Sequence, residues 1–229
     1  MKTQPVVVVL AAGLGSRFAG PLHKLAQPLG AISVLGQTIL RAIESGLPVI
    51  VVTTDRLAAE AARYVARRDL VVLPEVSSAA AGRLGMGYSI AAGVAARPQA
   101  GGWLVLPGDM PWVKPATLVA VAAGLAQSPV VVAQHLGRRG HPVGFSAELF
   151  SELVQLSGDE GARRVTARYP SVGLELADPG VLLDIDTEAD LAAARVAGVA
   201  VDVAAVVAAV LTDAPAAASG QSPALRGLR

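Results

Sequence analysis

Val6-Val7-Val8-Val9-Leu10-Ala11-Ala12-Gly13-Leu14-Gly15-Ser16-Arg17, with Lys24 close behind, is the stretch from which both fold and chemistry are read. A run of β-branched residues this apolar suits a strand buried on both faces, as in a parallel sheet. The run ends abruptly in small residues, which let backbone N–H groups approach an anion closely. With Arg17 and Lys24 added, the stretch reads as a phosphate cradle. The plainer alternative is a glycine-rich turn from strand to helix, carrying two solvated cations.

Two familiar phosphate loops are excluded. Gly13-Leu14-Gly15-Ser16-Arg17-Phe18 begins like the dinucleotide fingerprint G-x-G-x-x-G, but Phe18 stands where the third glycine belongs. No acidic residue ends a second strand about twenty residues on, where a ribose hydroxyl would need a partner. A Walker A loop needs Gly-Lys-Ser/Thr in succession, and Gly20 is followed here by Pro21-Leu22-His23-Lys24.

The chain has 229 residues, a length that one α/β domain can use to bury a large core. A net charge of +1, from 19 Lys+Arg against 18 Asp+Glu, gives no basic field for general nucleic-acid binding, so anion recognition must be local. The absence of cysteine removes disulfides, thiolate metal sites and cysteine nucleophiles together. Hydrophobic residues make up 53%, yet the apolar runs fall short of the roughly 18 residues of a membrane span. The N-terminal apolar run leads directly into the phosphate loop, so neither a cleaved signal peptide nor a membrane partner is expected, and the expected location is cytoplasmic.

Val/Leu-rich runs at 5–10, 47–53, 70–73, 102–106, 129–134 and 181–185 alternate with helical patterns. That predicts βαβ units and a mostly parallel sheet with helices on both faces. Helices are expected over 34–45, ending at Gly46, over 56–68 with Asp55 as N-cap, and over 87–96 and 114–126. From Gly137 to Tyr169 the pattern is less regular, as in an insertion that shapes a site. Val172–Ala177 is expected to pair with Val181–Ile185 across the turn Asp178-Pro179-Gly180. The expected organisation is a catalytic domain over 1–198, an Ala/Val-rich helix over 199–211 and a loose tail over 212–229.

Four further clusters carry candidate chemistry. Leu104-Val105-Leu106-Pro107-Gly108-Asp109-Met110-Pro111 is a buried strand ending in a turn, which places Asp109 at the carboxyl edge of the sheet where ligands of open α/β folds bind. Capping the helix after Pro111 is the competing duty for that aspartate. In Leu183-Asp184-Ile185-Asp186-Thr187-Glu188-Ala189-Asp190, alternation on a strand would turn Asp184 and Asp186 to one face, while Thr187 and Asp190 look like a helix start. Gly140-His141-Pro142-Val143-Gly144-Phe145 offers His141 as a phosphate contact or as a structural histidine. Arg138 and Arg139 beside it form either an anion site or a solvated loop. Gly85-Met86-Gly87-Tyr88-Ser89-Ile90 opens a helix whose free N–H groups and Ser89 can face a ribose or base.

The pattern Leu-Ala-Ala-Gly-x-x-x-Arg followed by Lys24, the Gly-Met-Gly-x-Ser helix start, Gly-Asp-Met-Pro, Gly-His-Pro with Gly158-Asp159-Glu160-Gly161-Ala162-Arg163, and Asp-Ile-Asp-Thr resemble, in this order, elements of the molybdopterin cytidylyl- and guanylyltransferases. The resemblance covers roughly residues 6 to 191. It implies a Rossmann-like three-layer α/β/α domain of the nucleotide-diphospho-sugar transferase type. It implies an enzyme that moves a nucleotidyl group from an NTP to a phosphorylated acceptor, releasing pyrophosphate.

Carried over residue by residue, the resemblance gives Arg17, Lys24 and Asp109 catalytic roles. Nucleotide contacts fall to Leu10, Ala11, Ala12, Gly13, Gly15, Ser16, Arg17, Lys24, Gly87, Ser89 and Gly108. His141, Pro142 and Arg163 fall on the acceptor side, and Asp109 and Asp186 on metal-ligand positions, a hard-oxygen pair that suits Mg²⁺. Ala12 matches the Leu-Ala-Ala-Gly form of the cytidylyl branch, so CTP is the preferred donor and molybdopterin the preferred acceptor. A molybdoenzyme or its chaperone is the protein partner of such a product. The competing readings are a cytidylyltransferase for an isoprenoid or sugar phosphate, an NAD(P)-dependent oxidoreductase, and a noncatalytic nucleotide-binding protein.

Overall fold

The computed structural model describes residues 3–13, 15, 18, 22–74 and 78–199, with backbone alone for 78–84 and 197–199. In chain order the strands and helices are β1 (Val6–Ala11), β2 (Pro28–Leu29), β3 (Ile32–Ser33), α1 (Val34–Glu44), β4 (Val49–Thr54), α2 (Asp55–Ala61), β5 (Leu70–Leu73) and α3 (Ser78–Ala95). There follow β6 (Gly102–Pro107), α4 (Pro115–Gly124), β7 (Val130–His135), β8 (Arg138–Ser146), α5 (Phe150–Leu153), α6 (Arg163–Arg168), β9 (Ser171–Glu175) and α7 (Glu188–Val199). Seven strands form one sheet in the order β5-β4-β1-β6-β8-β7-β9, while β2 and β3 make a separate hairpin.

β1 lies inside the sheet, parallel to both β4 and β6 with Val8 opposite Ile50 and Val105, and its four valines are buried. Because successive side chains of a strand face opposite ways, Val7, Val9 and Ala11 enter one core with Leu35, Ile39, Leu106 and Leu118. Val6 and Val8 enter the other, with Ile90, Trp103, Phe145 and Leu153. Each fully buried aliphatic side chain contributes on the order of 1.5–3 kcal/mol. Helices therefore cover both faces of a mostly parallel sheet, as the alternating pattern predicts.

β8 is the antiparallel member, pairing with β6 and β7. Running against its neighbours, it brings its first residues, Arg138 to His141, to the edge where β1 and β6 end. β1 is also where the strand order reverses, with β4 on one side and β6 on the other. The crevice beyond the carboxyl ends of such strands is the natural ligand site of an open α/β sheet.

Several expectations are corrected. The stretch 181–185 is not a strand: Pro179–Leu182 is a 3-10 turn, and β9 pairs in parallel with β7 rather than with that stretch. The reason is Asp178, whose buried carboxylate accepts from the Lys114 N–H, the Thr117 hydroxyl and the Gly180 N–H, pinning the segment to α4. These bonds also show that Asp178, not Asp109, serves the first turn of the helix after Pro111. The expected helix over 56–68 ends at Ala61, and Asp55 is its first residue, with Thr54 at the cap position. The irregular insertion contains the nine-residue β8. The expected 199–211 helix and 212–229 tail lie outside the described residues, apart from Val199 at the end of α7. Among the described residues no helix is long and apolar enough to cross a membrane.

Candidate active site

The turn after β6 is held before it bears any charge. The Gly108 N–H donates to the Leu10 carbonyl at 2.8 Å, and a Cβ at Gly108 would stand 2.8 Å from that same oxygen, so only glycine fits against β1. From α1, the buried Thr38 hydroxyl donates to the Gly108 carbonyl at 2.9 Å. The Ile185 N–H then donates to the Asp109 carbonyl at 3.0 Å and ties the segment before α7 to the same turn.

That tie brings three distant side chains to one point. Lys24 Nζ donates to Asp109 Oδ2 at 2.6 Å and to Asp186 Oδ1 at 2.8 Å, with the Lys24 and Asp109 side chains only 15% and 16% exposed. Burial works against the charge on Lys24, but the field of Asp109 and its hydrogen bonds to Asp109 and Asp186 outweigh it and raise the pKa above the ordinary lysine value. The other oxygen, Asp109 Oδ1, is buried with no hydrogen-bond partner. An ionised oxygen left so costs free energy unless something positive meets it.

Leu183 and Ile185 are buried while Asp184 and Asp186 line the cleft, so the expected alternation survives without a strand ladder. The cleft's desolvation, followed by the charges of Asp109 and Asp186, raises the Asp184 pKa. Thr187 and Asp190 form the expected capping box, each side chain accepting from the other's backbone N–H.

The cleft encloses about 780 Å³ and runs from the loop after β1 to the start of β8. Of the residues singled out in the sequence, Leu10, Ala12, Gly13, Gly15 and Lys24 line it at one end. Ser89, Asp109, His141 and Asp186 line it further along. Burial pushes the His141 pKa below the ordinary histidine value, against the pull of Asp109. Ala11, Gly87, Gly108 and Pro142 are buried and do not line the cleft. Arg163 is exposed at the start of α6 and does not line the cleft. Ser16 and Arg17 lie outside the described residues.

α3 breaks at Gly85, where φ is +33°, and the Gly87 N–H donates to the Gly158 carbonyl at 2.8 Å. The turn 158–161 therefore packs on the helix start at Met86 and sends Asp159 into the cleft. Sequence reasoning passed over His23, Thr54, Arg56 and Tyr88, which also line it. For Thr54 and Arg56 a signal existed, since they follow the β-rich run 47–53 at the carboxyl edge.

Among the described residues no three His, Cys, Asp or Glu side chains close around one point, so a metal here would have two carboxylates, Asp109 and Asp186, and take its other ligands from phosphate oxygens and water. The unpartnered Oδ1 and the hard-oxygen donor set fit such an ion.

Residues 7–172 match the family model described as the MobA-like NTP transferase domain. The purine catabolism protein PucB of Bacillus subtilis is 31% identical over 195 residues, covering 79% of this chain and 90% of PucB. Rv0371c of Mycobacterium tuberculosis superposes with a TM-score of 0.69 at 30% identity, covering 85% of this chain and 98% of that one. Another structure of Rv0371c is a complex with manganese, similar to this chain at a TM-score of 0.66 and 29% identity over 85% of this chain and 98% of that one. A nucleotidyl transferase from Methanothermobacter thermautotroptrophicus has a TM-score of 0.69 at 25% identity, covering 87% and 99%. The chain therefore belongs to the MobA-like NTP transferase domain family and is a nucleotidyltransferase.

Proposed function

We propose that the protein transfers CMP from CTP to the terminal phosphate of molybdopterin, releasing pyrophosphate. The observation that carries this reading is the meeting of Lys24, Asp109 and Asp186 at the mouth of the β1 loop, drawn from three separate stretches of chain. Ala12, in the Leu-Ala-Ala-Gly form, supports cytidine as the donor base. The loop from Ala12 through Ser16 binds the triphosphate through backbone N–H groups, with Arg17 and Lys24 as its cations.

An oxygen of the acceptor phosphate attacks the α-phosphorus of CTP; the new P–O bond forms as the bond to the bridging oxygen breaks, and pyrophosphate leaves with the electron pair. A phosphate monoester is largely a dianion at pH 7, so the nucleophile needs no base. What the protein must supply is alignment and positive charge. Lys24 provides a point charge beside the reacting phosphates. Asp109 and Asp186 would hold Mg²⁺, which when bound would neutralise phosphate charge.

On the acceptor side, His141, presented by β8 beside Pro142, contacts the acceptor with Arg138 and Arg139. The protein works in the cytoplasm as a domain over 1–198, and hands its product to a molybdoenzyme or its chaperone. The test is initial-rate pyrophosphate release with CTP, GTP and ATP, each against molybdopterin, an isoprenoid phosphate and a sugar phosphate. Release that needs CTP and molybdopterin supports the reading; release with another acceptor reassigns the substrate.

A further inference from the structure

His23 joins the two ends of the loop that follows β1. Its Nε2 lies 2.9 Å from the Gly13 carbonyl oxygen, and its Nδ1 is 3.2 Å from the Leu25 backbone nitrogen. A carbonyl can only accept and an amide N–H can only donate. The two contacts together therefore require a neutral ring with its proton on Nε2. Leu25 belongs to the single turn Lys24–Ala26, which His23 caps, and Lys24 of that turn carries the ammonium held by Asp109 and Asp186.

The ring also presses on the loop from below. Gly15 has φ +62°, and a Cβ there would come 2.8 Å from His23 Nε2, so the glycine is required by the imidazole as well as by the backbone. One side chain thus fixes the Gly13 carbonyl, packs under Gly15 and caps the turn of Lys24. Glycine-rich loops lose much conformational entropy when they are ordered around a ligand, and prior restraint removes part of that cost.

We propose that His23 is a positioning residue that holds the phosphate loop and Lys24 in their binding arrangement through the Gly13 carbonyl and the Leu25 N–H. It acts on the donor nucleotide through these backbone groups. The charged groups acting on the ring are Arg56 of α2 and the adjoining Lys24, and both oppose a second proton. Burial is the larger cause that lowers its pKa, with the Gly13 contact pulling the other way. A doubly protonated ring would point a donor at the Leu25 N–H and lose the cap.

This inference rests on the reading of the β1 loop as the NTP site, and two variants separate its parts. Asn at position 23 places an oxygen near Nδ1 and keeps the cap, but lacks the reach to Gly13. Gln places an amide N–H near Nε2 and restores that donation. His23→Asn should raise KM for CTP about tenfold, the worth of one hydrogen bond, with kcat within about threefold of wild type. His23→Gln should stay within about threefold in both. Calorimetric titration with CTP and with GTP, on protein shown folded by circular dichroism, gives binding apart from turnover. Wild-type KM in His23→Asn overturns the inference alone, as does equal loss in both variants. A folded wild type that binds neither nucleotide overturns the donor reading and this inference with it.

Discussion

Lys24 Nζ lies 2.6 Å from Asp109 Oδ2, while Asp109 Oδ1 is buried without a hydrogen-bond partner. One carboxylate is thus half satisfied by an ammonium and half reserved. Asp109→Asn keeps the volume and removes the charge, so pyrophosphate release should fall by on the order of 10²–10³-fold or more. Thermal unfolding should stay close to that of wild type. Turnover retained in a folded Asn variant would contradict the role given to this carboxylate.

The same contact predicts opposite effects of one change at Lys24. Its ammonium and a divalent cation draw on the same two carboxylates, so Lys24→Met should bind Mn²⁺ alone more tightly, by on the order of tenfold. The variant should also lose on the order of 10²-fold in kcat/KM for the NTP, because the phosphates lose their point charge. Manganese titration followed by electron paramagnetic resonance reads the first effect. Equal or weaker Mn²⁺ binding would show that the lysine and the metal do not compete.

Thr38→Val tests how the carboxylate turn is supported from behind. The substitution is nearly isosteric but leaves the Gly108 carbonyl without the hydroxyl that meets it at 2.9 Å. Urea denaturation should show a loss of about 1–3 kcal/mol, the cost of an unsatisfied buried acceptor. Turnover should fall as well, since Asp109 adjoins that carbonyl.

Acid should weaken the fold through two histidines. His23 and His141 both have pKa values lowered from 6.5, in each case chiefly by burial. Below 6.5 the unfolded chain takes up protons that these folded rings refuse, so stability is full above about 6.5 and declines as pH falls toward the folded values. Urea unfolding at pH 7.5 and 5.5 should give lower stability at 5.5, and His141→Gln should reduce that difference. A slope unchanged in the variant would show that His141 does not contribute.

What the sequence made legible was local. β1, the Gly-Asp-Met-Pro turn and the Thr187–Asp190 capping box rest on neighbouring residues, and each stands as read. β8 was missed because Gly140, Pro142 and Gly144 speak against a strand, and only its partners β6 and β7 supply the ladder. The expected hairpin across Asp178 failed for the same kind of reason. Its carboxylate answers to Lys114 and Thr117, more than sixty residues earlier. His23 looked like part of an irregular link to Lys24, since nothing in its own neighbourhood announces that its ring reaches back to Gly13.

Transfer of a cytidylyl group onto molybdopterin is the activity proposed for this site. The direct measurement is transfer of radiolabel from α-³²P-labelled CTP or GTP, at equal concentration with Mg²⁺, into molybdopterin separated by chromatography. Label entering the acceptor from CTP at least about tenfold faster than from GTP, a difference of 1.4 kcal/mol, is the predicted result. Label entering faster from GTP, or entering molybdopterin from neither nucleotide, would contradict it.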